Sequence, residues 1–127
     1  MMALALAVMY RDWQWGSADC CTAACDVFLR AWGVDPMAEL RGTYDSEGGA
    51  ARAIVARGGW LAMAQGLADD AGLVRSDRAG ALGLGVVPEA FGGRALVIQA
   101  SPGVWLGKTL TGCKTVQDVE ASWCVKL

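Results

Sequence analysis

From Asp19 onward the apolar residues Cys21, Ala24, Cys25, Phe28, Leu29 and Trp32 recur at alternating spacings of three and four. That period predicts an amphipathic helix with these residues as its inner stripe. Ser17 or Asp19 stands where the N-cap belongs, and Gly33 where a left-handed stop belongs. Because each helical residue turns by about 100 degrees, Cys21 falls at the centre of the stripe and Cys20 about a quarter turn or more to its side. Further on, Asp35-Pro36 predicts a short helix to about Leu40, and Ser46 or Asp45 caps a helix running through Ala50 to Arg57. Gly58-Gly59 ends that helix, and Trp60 to Ala68 reads as another that closes near Gly72.

After Leu73 the pattern changes to short runs of valine, leucine and isoleucine broken by glycine. Ala81–Val87, Arg94–Ala100, Val104–Leu106 and Ser122–Leu127 read as strands, with a further one over Thr109–Thr115 and a helical turn over Val116–Ala121. Helices followed by strands predict an α+β domain with segregated layers. One domain spans 1–127: an N-terminal interface helix over 1–12, a helical half over 13–72 and a strand half over 73–127. The apolar run Met1 to Tyr10 is too short to span a bilayer, and it lacks the cationic start and cleavage site of a secretory signal.

Composition narrows the partners. The chain has 127 residues with a formal charge of −2, a pI near 4.9 and scattered basic residues, so no footprint for nucleic acid is present. Apolar residues make up 54% against 19% charged, a surplus for a small domain that we read as surface buried against other chains, with Met1 to Val8 as the foremost patch. Five cysteines, an odd number without regular spacing, argue against a disulfide framework. Cys20, Cys21 and Cys25 lack the C-x-x-C spacing of zinc and iron–sulfur sites, so no metal or cofactor is assigned.

The chemistry concentrates at Asp19-Cys20. A cysteine in the first turn of a helix gains thiolate character from the helix dipole, and Cys20 is the candidate nucleophile, with Asp19 as N-cap and candidate support. The chain contains no histidine. Asp26, Asp45 and Glu89 are the carboxylates that could replace the missing base, without supporting spacing. Of the six tryptophans, Trp32 belongs to the core stripe, while the others suit either a sugar-stacking face or core and subunit contacts.

The order W-x-W-G-x-x-D-C at a helix start, then G-x-D-P, L-R-G-x-Y, G-A-x-R and G-G, closing on Ser122-Trp123-Cys124-Val125, resembles the NlpC-like cysteine peptidase domains of phage and gene-transfer-agent tail modules. The resemblance implies a papain-like fold in which N-terminal helices pack on a small antiparallel sheet. It maps the nucleophile onto Cys20 and places Arg94 near the position of the catalytic histidine that opens a central strand. Arginine stays protonated and cannot serve as a general base, and losing one member of such a pair costs on the order of 10⁴ to 10⁶ in turnover. The expectation is therefore a decayed hydrolase. It would be a structural subunit of a virion tail tip or baseplate, made in the host cytoplasm and bound to other tail proteins such as hub or distal-tail subunits. Two alternatives stay open: a peptidoglycan endopeptidase whose base comes from a partner, and a tail subunit in which Cys20 or Cys25 ligates metal jointly with another chain.

Overall fold

The computed structural model describes all residues, 1–127. Four helices, α1 (Met2–Met9), α2 (Cys20–Trp32), α3 (Glu47–Ala56) and α4 (Trp60–Asp70), precede six strands: β1 (Val74–Arg75), β2 (Leu82–Val86), β3 (Arg94–Ser101), β4 (Val104–Thr109), β5 (Gly112–Val116) and β6 (Val119–Cys124). The strands form one antiparallel sheet in the order β1-β6-β2-β3-β4-β5. This is the α+β architecture with segregated layers that the sequence pattern predicts.

Helix α2 is the central helix. Its stripe buries Cys21, Ala24, Cys25 and Phe28, with Phe28 fully enclosed, and Gly33 ends it at φ 74°. Two stripe positions differ from expectation: Leu29 is exposed, and Trp32 is half-buried beside the chain preceding β2, where its Nε1 donates to the Gly80 carbonyl at 3.0 Å. The helix is near its end at these positions, so the stripe has rotated past the edge of the sheet.

The sheet is strongly curled. Gly83, Gly85 and Gly107 lie where a side chain would collide with neighbours: a methyl at Gly83 would stand 2.7 Å from the Trp105 ring, and one at Gly85 would stand 3.0 Å from Val116 of the edge strand. Strand β5 is separated from β2 by β3 and β4. Val116 reaches Gly85 only because the sheet folds over its own concave face, and glycine leaves room for that closure.

Three sequence expectations are corrected. The N-terminal segment is not a free apolar patch: Ala5, Val8 and Met9 of α1 are buried against α2 and the sheet, leaving Met1, Ala3, Leu6, Ala7 and Tyr10 outside. The Asp35-Pro36 segment forms consecutive turns, because the Asp35 carboxylate binds both the Met37 N–H and the Arg41 side chain and Gly42 turns the chain at φ 76°. The helical turn expected over Val116–Ala121 is instead the end of β5, a two-residue link and the start of β6, whose Val119 side chain packs on the concave face at Gly83. The closing strand accordingly runs over Val119–Cys124, ahead of its predicted span, and buries Trp123 completely.

Arg41 ties the first half together. It pairs with Asp35 at 2.7 Å and Asp26 at 2.8 Å, and Asp26 also pairs with Arg11 at 2.6 Å. Burial opposes ionisation of Asp35, but the hydrogen bonds from Arg41 and the Met37 N–H prevail and hold its carboxyl below the ordinary value. The lowered value means that this contribution is present above the unfolded carboxyl's pKa of about 3.9 and is lost as pH falls toward the folded value. Asp35→Asn is expected to lower stability by about 1 kcal/mol at pH 7. Urea denaturation at pH 7 and at pH 2.5 checks this; the difference from wild type should shrink at the lower pH.

Candidate functional site

The site begins with a backbone requirement. Gly16 sits at φ 88°, and a methyl there would lie 2.1 Å from the Tyr44 carbonyl oxygen, so only glycine fits. Its N–H donates to Asp19 Oδ2 at 2.8 Å, and the Tyr44 hydroxyl donates to the same oxygen at 2.7 Å. Asp19 Oδ1 accepts from the Thr22 N–H at 2.9 Å and lies 3.1 Å from Thr22 Oγ1, while the Asp19 N–H donates back to Thr22 Oγ1 at 2.9 Å. This is a reciprocal capping box at the start of α2. Asp19 is 1% exposed. Both of its oxygens are engaged, so the carboxylate clasps three chain segments together.

The sequence pattern does not single out Tyr44 as a partner of Asp19, from which 25 residues separate it. Burial, then the neighbouring Cys21 and Asp19 and the hydrogen bond to Asp19, push the Tyr44 hydroxyl well above its ordinary value, so it remains a donor.

Cys20 follows directly in the first turn of α2. Its Sγ lies 3.9 Å from Cys21 Sγ, and both residues are buried, at 5% and 8% exposure. Cys20, to the side of the stripe, lines the groove described below and Cys21 does not, although the two thiols touch. Contact with Cys20, then burial, raises the Cys21 thiol well above its usual value, and burial does the same for Cys25.

Cys20 forms part of the wall of a groove of about 580 Å³, within the size range of small-molecule sites. Trp13, Trp15 and Phe91 make its aromatic side; Trp15 meets the other two edge-to-face, at 5.1 Å from Trp13 and 5.5 Å from Phe91. The polar side carries Lys114 paired with Glu89, whose carboxyl is held below its ordinary range by that lysine. Of the three alternative carboxylates, Glu89 alone shares the groove with Cys20; Asp26 is tied to Arg11 and Arg41, and Asp45 is exposed and does not line it.

Lys108 is the charged residue that the pattern misses. It is 4% exposed, and its ammonium donates to the carbonyls of Met9 and Arg11, closing the C-terminal end of α1 onto β4. Burial, then the nearby Arg11 charge, lowers its pKa. The single cation within an apolar strand is its sequence signal.

Arg94 does not join the site. At the start of β3 its Nε donates to Glu120 at 2.7 Å and its Nη1 to the Gly93 carbonyl at 3.0 Å, and the strand contributes Ala95 to the groove wall instead. Glu120, unforeseen in the sequence, draws the guanidinium away. The structure therefore brings Asp19 and Cys20 together and leaves Arg94 outside.

The fold and site define an α+β domain with a cysteine at a capped helix start beside an aromatic groove. Residues 2–125 match the family described as a domain of unknown function, DUF6950, and the chain belongs to that family. Neither the curated proteins nor the solved structures contain a match to the chain. No helix is long and apolar enough to cross a membrane.

Proposed function

We propose that this chain is a structural subunit of a phage or phage-like tail tip or baseplate, built on a papain-like, NlpC-like hydrolase fold whose catalytic site has decayed. The observation that carries this is the engagement of Asp19. The W-G-x-x-D-C segment, which in the resembling peptidases presents a nucleophile, here serves a clasp between the α2 start and Tyr44. Cys20 beside it lacks a histidine partner in a chain without histidine, and general-base activation is what such a thiol requires.

Other tail proteins, hub or distal-tail subunits, are the partners. The exposed outer face of α1 and the exposed Leu110 supply apolar surface for them. The purified chain is expected to leave cell-wall sacculi intact, in a turbidity assay indistinguishable from a Cys20→Ser control.

A second reading is favoured by Glu89 sharing the groove with Cys20: a peptidoglycan endopeptidase whose base is an unexpected carboxylate such as Glu89 or comes from a partner chain. It predicts clearing of sacculi by the assembled particle, abolished by Cys20→Ser. Clearing of that kind would overturn the structural reading.

A further inference from the structure

Behind Cys20 is a recess of about 20 Å³, lined by apolar side chains apart from Asp19. Trp15, Cys20 and Phe91 border both this recess and the groove, so they form the partition between the two. Cys21 borders the recess alone. One wall of the recess is helix α3, which contributes Ala50, Ala53 and Ile54 there and Glu47 to the groove.

That wall is lightly attached. Of the ten residues of α3 only Ala50 is buried, whereas α4 buries Met63, Ala64, Leu67 and Ala68. No hydrogen bond or ion pair links residues 45–58 to any residue outside 45–59, so packing alone holds the segment to the domain. Its two ends are anchored differently from its middle. Just before it, the Tyr44 hydroxyl is fixed to Asp19 at 2.7 Å. Just after α3, Gly58 and Gly59 follow one another at φ 94° and 104°, and a methyl on Gly59 would meet nothing within 4 Å. This joint has both the torsional freedom and the space to turn. Beyond it α4 is tied to the sheet, because Gln65 Oε1 accepts from Arg75 Nε at 3.1 Å and from Trp123 Nε1 at 3.2 Å.

We propose that residues 45–58 are a hinged lid: they swing away about Gly58-Gly59 while α2, α4 and the sheet stay folded, uncovering Cys21 and joining the recess to the groove. A segment with few buried apolar contacts and no hydrogen bonds to its surroundings opens at lower cost than the whole domain unfolds. Withdrawing Ala50, Ala53 and Ile54 removes one wall of the recess, which then becomes an apolar extension of the groove past Trp15 and Phe91.

The test is labelling of the full reduced chain with N-ethylmaleimide, each cysteine's rate being read by peptide mass spectrometry with and without urea below the unfolding transition. Cys25 and Cys124 are fully enclosed and report global unfolding; Cys21 reports the lid. Low urea should leave the Cys21 rate nearly unchanged and speed Cys25 and Cys124 steeply, because the lid exposes little surface when it opens. Gly66→Ala, within α4 and away from the recess, should slow Cys25 and Cys124 about threefold and leave Cys21 unchanged. Ile54→Ala, which loosens the lid, should speed Cys21 about tenfold. A Cys21 rate that shares the urea dependence of Cys25 and slows with Gly66→Ala would overturn the proposal, since only global unfolding would then expose it. A Cys21 rate unmoved by Ile54→Ala would also overturn it, since the reagent would then arrive by a route that α3 does not control. These results are independent of whether the chain belongs to a tail.

Discussion

Replacing Asp19 with alanine should destabilise the domain by about 3–4 kcal/mol, far more than the loss of a helix cap alone, which costs about 1 kcal/mol. The remainder comes from groups the carboxylate leaves behind. The Tyr44 hydroxyl and Gly16 N–H both point at Asp19 Oδ2, and a buried donor deprived of its acceptor costs about 1–3 kcal/mol. In a chain of this length the midpoint of thermal unfolding should fall by roughly 10–15 °C. Cys20→Ser, next in sequence, should change stability by about 1 kcal/mol or less, because serine is similar in size and lies at the groove wall. Calorimetry of the two variants separates a structural clasp from a catalytic support: equal and small effects would show that Asp19 is not holding the fold.

Gly83→Val is the second large effect. The new side chain would begin 2.7 Å from the Trp105 ring and 2.9 Å from Val119 Cγ1, on the concave face of the sheet. At such distances one of the two side chains must shift, and overpacking of this kind costs about 3 kcal/mol. Gly66→Ala provides the contrast. Gly66 lies inside α4 with nothing within 4 Å of the added methyl, so the substitution should stabilise by about 0.5–1 kcal/mol. Chemical denaturation of both should show opposite signs. A neutral Gly83→Val would mean that the sheet is flatter than described.

The features legible in the sequence are those set by local periodicity. Helix α2, its Asp19 cap and its Gly33 stop follow from residues within one or two turns of each other, and the strand runs follow from branched residues between glycines. Features set by distant contacts were hidden. Helix α1 is apolar on every side, so nothing in its pattern shows that Ala5, Val8 and Met9 face inward. The Val116–Ala121 segment has a helix-like spacing, but pairing of β6 with β2 overrides it.

At the site, helical phase and cap chemistry pointed to Cys20 and Asp19. They did not reveal that Tyr44 completes the clasp from 25 residues away. The direction of the Arg94 side chain was hidden for a related reason. Its position at the head of β3 is correct, but the ion pair with Glu120 that decides where its guanidinium goes depends on β2 lying between β3 and β6.

We propose that this fold serves assembly, and quantitative mass spectrometry of purified tail particles from the genome encoding the chain tests that most directly. The expected result is the chain present at a fixed ratio to the other tail-tip proteins and retained through a salt wash. Particles complete and infectious without it would contradict the claim.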